Sequence, residues 1–398
     1  MNPNLSLLHP YPFEKLTKLK AGIELPADLP PISLGIGEPK HPAPEFVKQV
    51  IADNLDKLAN YPTTKGLDEL REAIADWATR RFELKPGTLT ADQHIVPVNG
   101  TREGIFSLVQ SVVERRPSAK VVSPNPFYQI YEGAAILSGA EPHYLPCDDS
   151  NGFIPDFDQV PDAVWEDCQI LFLCSPGNPS GAVVSRDTLT KVIELADRHD
   201  FIVASDECYS ELYPDENQPP EGLLQTCAAI GRHDFARCVV FHSLSKRSNL
   251  PGLRSGFVAG DATILRDYLR YRTYHGCAMP IQHQLASIAA WRDEDHVREN
   301  RAAYRAKFEA VVPILRQVMD VDYPDAGFYL WPRTGFSDET FALELSATQN
   351  VNVLPGRYLS RKVNGYNPGE NRIRMALVAP LEECVEAAER IVTYLKNR

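Results

Sequence analysis

Short uninterrupted apolar runs, most of them leading into a helical pattern, constrain this chain more than any other feature. Ile95-Val96-Pro97-Val98 leads into a helix predicted over Thr101–Glu114. Lys120-Val121-Val122-Ser123 leads into one over Tyr128–Ser138, and Ile170–Cys174 into one over Arg186–His199. Phe201–Ala204 is followed by a loop, then by the runs Cys238–His242 and Gly256–Ala259. Parallel strands need a crossover long enough to return the chain, and a helix supplies it. A strand with one wet face would alternate apolar and polar residues. These runs do not, so the sheet is expected to be buried on both faces.

The flanks read differently. Residues 1–40 are proline-rich, with a short helix predicted at Phe13–Lys20 and a linker-like stretch at Pro26, Pro30 and Pro31. Helices are predicted over Pro44–Leu58 and Leu67–Phe82, where Leu67, Leu70, Ile74 and Trp77 recur at helical spacing. From Ile281 a helical stretch runs to Met319, with a break expected near Pro313. Strand-like Gly327–Trp331, a helix at Glu339–Ala347, strand-like Arg372–Val378 and a closing helix at Leu381–Lys396 complete the chain. The expected organisation is an arm, residues 1–40, forming part of a small domain, then a large α/β domain, 41–280, with a mostly parallel sheet covered by helices. A smaller α+β domain spans 281–398.

At 398 residues and 43% hydrophobic, the chain can bury a core without disulfides. Its net charge of −12 argues against nucleic acid or an anionic membrane surface as a general partner. Eight cysteines include no C-x-x-C pair and no zinc-like spacing, which suits a reducing compartment. The first residues lack the apolar core of a signal peptide, and no segment reaches bilayer length, so a cytoplasmic protein is expected.

Ligands of open α/β sheets sit at the carboxyl ends of the strands. After Ile95–Val98 comes Asn99-Gly100-Thr101-Arg102, a helix start suited to an anion or simply to capping. After Ile170–Cys174 comes Ser175-Pro176-Gly177-Asn178-Pro179-Ser180-Gly181, dense in turn formers, with Asn178 able to reach a ligand oxygen. Asp206 follows Phe201–Ala204, placed either to pair with a cation or to cap. After Cys238–His242 comes Ser243-Leu244-Ser245-Lys246, with Arg254 eight residues beyond Lys246. A solvated basic loop is the plain reading of that charge run. Taken in order, the four stretches suit a ring that carries a phosphate, a pyridinium nitrogen, a phenolic oxygen and an aldehyde, which is pyridoxal 5′-phosphate.

At this point the chain resembles the fold type I, class I/II aminotransferases, from Leu34-Gly35-Ile36-Gly37-Glu38-Pro39 to Arg372-Ile373-Arg374. The resemblance implies that Lys246 condenses with the cofactor aldehyde and then carries the substrate α-proton. It implies that Asp206 pairs with the ring nitrogen, that Tyr209 and Asn178 bond the phenolic oxygen, and that Tyr128 stacks on the ring. Thr101, Arg102, Ser243, Ser245 and Arg254 would hold the phosphate. Arg374 would grip the substrate α-carboxylate, helped by Gly37 N–H and Asn178. Tyr61 would reach the phosphate of a neighbouring subunit, which implies a homodimer with shared sites. Metal is not called for.

Leu-Gly-Ile-Gly-Glu-Pro-Lys-His-Pro and Tyr274-His275-Gly276-Cys277-Ala278-Met279 are similar to the proteobacterial succinyldiaminopimelate aminotransferases. That implies amino transfer between N-succinyl-LL-2,6-diaminopimelate and 2-oxoglutarate, in lysine and diaminopimelate biosynthesis. Such substrates carry further carboxylates, and Arg357 and the neighbourhood of Arg254 are the positions expected to meet them. Competing readings are an aspartate, alanine or aromatic aminotransferase, or a carbon–sulfur β-lyase that uses the same cofactor.

Overall fold

A computed structural model describes all 398 residues. Its centre is a seven-stranded sheet. Across the sheet the strands run Ile95–Val98, Gly256–Gly260, Cys238–Ser243, Ile202–Asp206, Cys168–Cys174, Lys120–Asn125 and Glu141–Pro146. Every neighbouring pair is parallel except those made by Gly256–Gly260, which is antiparallel to both its neighbours. Only two short turns of helix, Leu244–Arg247 and Pro251–Leu253, separate it from Cys238–Ser243. That link is too short for a crossover, so the chain folds back on itself.

Side-chain alternation explains the apolar runs. Leu171 and Leu173 enter one core, with Val203, Val240, Trp77 and Trp291. Ile170 and Phe172, pointing the other way, enter a second core with Ala204, Val239, Phe241, Leu108 and Tyr131. All four residues of Ile170–Leu173 are at most 1% exposed. At about 1.5–3 kcal/mol for each fully buried large apolar side chain, both faces must be covered for this sheet to be stable. The edge strand Glu141–Pro146 was not legible as a strand, because its residues are mostly polar or half-buried. Its pairing with Lys120–Asn125 supplies what its composition does not.

A further core gathers Phe308, Val311 and Leu315 from the helix Asp295–Leu315 with Phe341, Leu345, Ile391 and Tyr394. Ile32 and Leu34, from the other end of the chain, complete it, and Ile32–Ser33 pairs in parallel with Val351–Asn352. Beside it lies a three-stranded antiparallel sheet of Leu354–Pro355, Ile373–Ala376 and Tyr329–Leu330. The stretch expected to break near Pro313 breaks instead at Asp293–Glu294, between helices Ile281–Arg292 and Asp295–Leu315. There the Asp293 carboxylate accepts the free His296 N–H at 3.0 Å. Pro313 sits in the last turn of its helix, where a missing N–H costs little continuity. All eight cysteines are free, and no helix is long and apolar enough to cross a membrane.

Candidate active site

Parallel register brings the strand ends together. Cys174 lies opposite Asp206, and Asp206 opposite Phe241, so the segments that follow emerge at one edge of the sheet. A cavity of about 620 Å³ opens there. It is lined by Gly37, Thr101, Arg102, Tyr128, Asn178, Asp206, Tyr209, Ser243, Ser245, Lys246, Arg254 and Arg374. Residues 209 and 339 positions apart in sequence meet in it, as the bonds Lys246 to Gly37 and Arg374 to Gly35 attest. Of the residues singled out for cofactor or substrate, Tyr61 and Arg357 lie outside; the Tyr61 side chain is fully exposed.

Lys246 belongs to the short helix Leu244–Arg247, capped by Ser243, whose Oγ accepts the Ser245 N–H at 3.0 Å. Its Nζ donates to the Gly37 carbonyl and stands 5.2 Å from the centre of the Phe328 ring. Burial lowers its pKa to about 8, with Arg374 and Arg254 adding to the effect and Cys208 and Glu38 opposing it. A lysine in this range is partly neutral near physiological pH, as a nucleophile or base must be.

Asp206 is 4% exposed and forms no ion pair. Tyr131 Oη donates to its Oδ2 at 2.8 Å, and the Cys208 N–H points at its Oδ1 at 3.3 Å. Burial nonetheless holds its pKa above the usual carboxylate value. A buried carboxylate without a cation is costly, so the site is built for a positive group from outside the chain. Tyr131 was not singled out from the sequence. It reads as a core aromatic, and its ring does stack on Phe172 at 4.4 Å, but its hydroxyl serves Asp206.

Arg374, on the strand Ile373–Ala376, is 5% exposed. Its Nη1 donates to Asn178 Oδ1 at 3.0 Å and its Nη2 to the Gly35 carbonyl at 2.9 Å, while its guanidinium lies 4.6 Å from the Tyr329 ring centre. Its Nε is buried with no partner. Tyr329, also unforeseen, bonds Tyr209 hydroxyl to hydroxyl at 2.9 Å, and burial raises the Tyr209 phenol well above its ordinary value. Tyr329 also explains Gly37: a Cβ there would fall 2.1 Å from the Tyr329 hydroxyl.

Arg254 donates to the Pro251 carbonyl at 3.0 Å and the Asn99 carbonyl at 3.3 Å. Gly100, at φ +83°, caps the helix Thr101–Val112, and a Cβ on it would strike Arg254 Nη2 at 2.1 Å. Thr101 Oγ1 lies 3.1 Å from Cys208 Sγ. The Arg102 side chain turns elsewhere, towards Tyr128 and Tyr11. Tyr11 and Phe13 also line the cavity, from the start of the helix Pro12–Leu19, and nothing in the sequence around them marked them beforehand as site residues. Arg357, expected to meet a substrate carboxylate, does not line the cavity. Asp338, at 2.6 Å, Glu339 and Glu370 already pair with it.

A family model for aminotransferases of class I and II matches residues 30–391. The chain belongs to that family. The aminotransferase is 49% identical, with a TM-score of 0.95, to the crystal structure of an aminotransferase from Neisseria meningitidis, over 99% of this chain and 100% of that one. It is 31% identical to the LL-diaminopimelate aminotransferase of Maridesulfovibrio salexigens, over 97% of both chains. A Thermus thermophilus structure described as a probable N-succinyldiaminopimelate aminotransferase is 26% identical, with a TM-score of 0.83, over 96% of this chain and 100% of that one. The cofactor of this aminotransferase is pyridoxal 5′-phosphate. The donor set fits it: an amine tuned to about 8, a buried carboxylate lacking a cation, and arginine with serines at a helix start.

Proposed function

We propose that this aminotransferase moves an amino group between N-succinyl-LL-2,6-diaminopimelate and 2-oxoglutarate. The observation that carries the transamination reading is Lys246, Asp206 and Arg374 facing one cavity, with the lysine near neutrality and neither the aspartate nor the arginine ion-paired. When bound, the cofactor supplies an aldehyde for the amino group and a ring that takes up the electron pair left at Cα. Lys246 Nζ would anchor the cofactor covalently and, once the amino donor releases it, would take the proton from the substrate Cα and hold it for return on the other side of the amino nitrogen. Asp206 keeps a proton on the ring nitrogen, and Tyr131 holds that carboxylate in place. Ser243, Ser245, Thr101, Arg254 and the N–H groups opening the helix Thr101–Val112 hold the phosphate. Tyr209 and Asn178 orient the ring oxygen, and Tyr128 covers its face. Arg374 takes the α-carboxylate as a two-pronged donor, with Tyr329 fixing its plane.

The named substrate is supported by the likeness to the Thermus protein and by the segments quoted from the sequence. The curated relatives favour a second reading, in which unsuccinylated LL-diaminopimelate is the amino donor. A homodimer with Tyr61 crossing to the other site is part of the proposal. Purified enzyme should be yellow, and its absorbance should shift when the amino donor is added. Initial rates on N-succinyl-LL-diaminopimelate, LL-diaminopimelate, aspartate, alanine and phenylalanine, each with 2-oxoglutarate, decide the substrate. A rate on the succinylated donor no higher than on aspartate would end the first reading.

A further inference from the structure

The helix that carries Lys246, Leu244–Arg247, is four residues long, too short to satisfy its own last carbonyls. The backbone oxygens of Lys246 and Arg247 are bonded instead by a side chain from another part of the fold. Asn300, on the helix Asp295–Leu315 and 4% exposed, donates through Nδ2 to the Lys246 carbonyl at 3.1 Å and to the Arg247 carbonyl at 3.2 Å. Its Oδ1 accepts from Asn249 Nδ2 at 2.8 Å and lies 2.9 Å from His41 Nδ1. Two carbonyls on one side fix which end of the amide is nitrogen, so the other end is oxygen and His41 is a donor to it. Burial lowers the His41 pKa, so its ring is neutral at physiological pH with the hydrogen on Nδ1. His41 ends the stretch that begins at Gly35, whose carbonyl accepts from Arg374, and that includes Gly37, whose carbonyl accepts from Lys246 Nζ. The lysine is thus tied to one loop twice, directly at its amine and at its backbone through Asn300. Four residues on from Asn300, Tyr304 places its ring 4.7 Å from the His41 ring and stacks at 5.4 Å on Phe328, the ring over which Nζ stands.

We propose that Asn300, held by His41, is a positioning residue for Lys246, fixing the lysine turn against the loop that frames the substrate carboxylate. This inference rests on Lys246 being the reacting amine and goes beyond it, since neither Asn300 nor His41 lines the cavity. An amide suits the task because it can donate twice and accept twice in one plane. Aspartate has the same shape but offers no hydrogen to the two carbonyls, and alanine offers nothing to either side. Without the amide the turn is free to shift, Nζ gains access to water, and the burial that favours the neutral amine is relaxed.

The test follows the titration of Lys246 itself. Brief labelling of the full-length apoprotein with acetic anhydride across a pH series, read by peptide mass spectrometry, reports the neutral amine without cofactor. Wild type should show a midpoint near 8, and N300A and N300D should move it towards 10.5. In the holoenzyme both should lower kcat by about 10- to 100-fold, the scale of a small misplacement of a reacting group, with KM for L-glutamate changed by less than about threefold. V311A, about three turns further along the same helix, removes buried packing and none of these bonds, so it should lower the melting temperature while leaving the midpoint near 8. H41N puts an amide nitrogen where Nδ1 stands and should keep the wild-type midpoint, whereas H41A should raise it. An N300A midpoint equal to that of V311A would overturn the proposal, as would a loss confined to KM. A wild-type midpoint in H41A would overturn it as well. Should the Asn300 variants fail to fold, the H41A and H41N pair decides it alone. Borohydride reduction of wild-type holoenzyme that leaves residue 246 unmodified would instead overturn the reading of Lys246 on which the proposal rests.

Discussion

At the residue scale, burial shifts the titration of Lys246, Lys307 and Asp206. Lys246 titrates at about 8 against 10.5 for a free lysine, chiefly through burial. Only the neutral amine attacks an aldehyde, so capture of pyridoxal 5′-phosphate by the apoprotein should accelerate with rising pH and level off above about 8. Stopped-flow absorbance would reveal a rise continuing towards 10.5 if the lysine were in fact unperturbed. The linkage has a definite sign. Between about 8 and 10.5 the unfolded chain binds the proton that folded Lys246 has lost, so apoprotein stability rises with pH across that window. Lys307, buried and also lowered to about 8, contributes in the same direction. Asp206 is the opposite case, a carboxyl raised by burial, so its ionisation costs the empty fold stability at neutral pH. D206N should therefore leave the melting temperature of the apoprotein equal or higher, while kcat falls by about 100-fold or more, the scale of a lost charge at a reacting centre. A melting temperature that drops by several degrees would show the carboxylate to be structural.

At the element scale, the chemistry sits where strands end and helices begin. The Asn99–Thr101 turn is one such junction. Gly100 has φ +83° and its missing Cβ leaves room for Arg254. G100A combines a disfavoured backbone with a contact that Arg254 must vacate, so it should destabilise the protein by about 1–3 kcal/mol. It should also weaken cofactor affinity, because the arginine that moves is the one proposed to meet the phosphate. Thermal melts and equilibrium dialysis measure the two effects separately; a normal dissociation constant would remove Arg254 from the phosphate site. The strands themselves were legible because period-two alternation carries apolar residues into both cores, so the runs are unbroken in sequence. The edge strand Glu141–Pro146 and the reversed direction of Gly256–Gly260 were not, since pairing and direction depend on neighbours rather than on composition.

At the scale of the whole molecule, the single chain leaves large side chains in water. Tyr61, Tyr274 and Leu58 are each more than two-thirds exposed, and Leu55 is 53% exposed. Burying them against a second copy would recover the area term that a folded chain rarely forgoes. Sedimentation should therefore give about twice the 44.5 kDa chain mass. Y61A should raise the cofactor dissociation constant by about tenfold, the loss of one hydrogen bond to a charged group, without disturbing the cavity of its own chain. A monomer in solution at micromolar concentration, or a Y61A enzyme with unaltered affinity, would refute the shared site.

What the amino-acid order by itself determined is local: which runs are strands, which turns follow them, and that a lysine, an aspartate and an asparagine stand at consecutive strand ends. Those are consequences of periodicity and turn chemistry, which act within a few residues. Only the tertiary structure decided that Tyr131 supports Asp206, that Tyr329 braces both Tyr209 and Arg374, that Arg357 is tied up by Asp338, and that Tyr11 reaches Arg102. Each depends on where a side chain points after distant segments have packed, and burial, which tunes Lys246 and Asp206, exists only once they have.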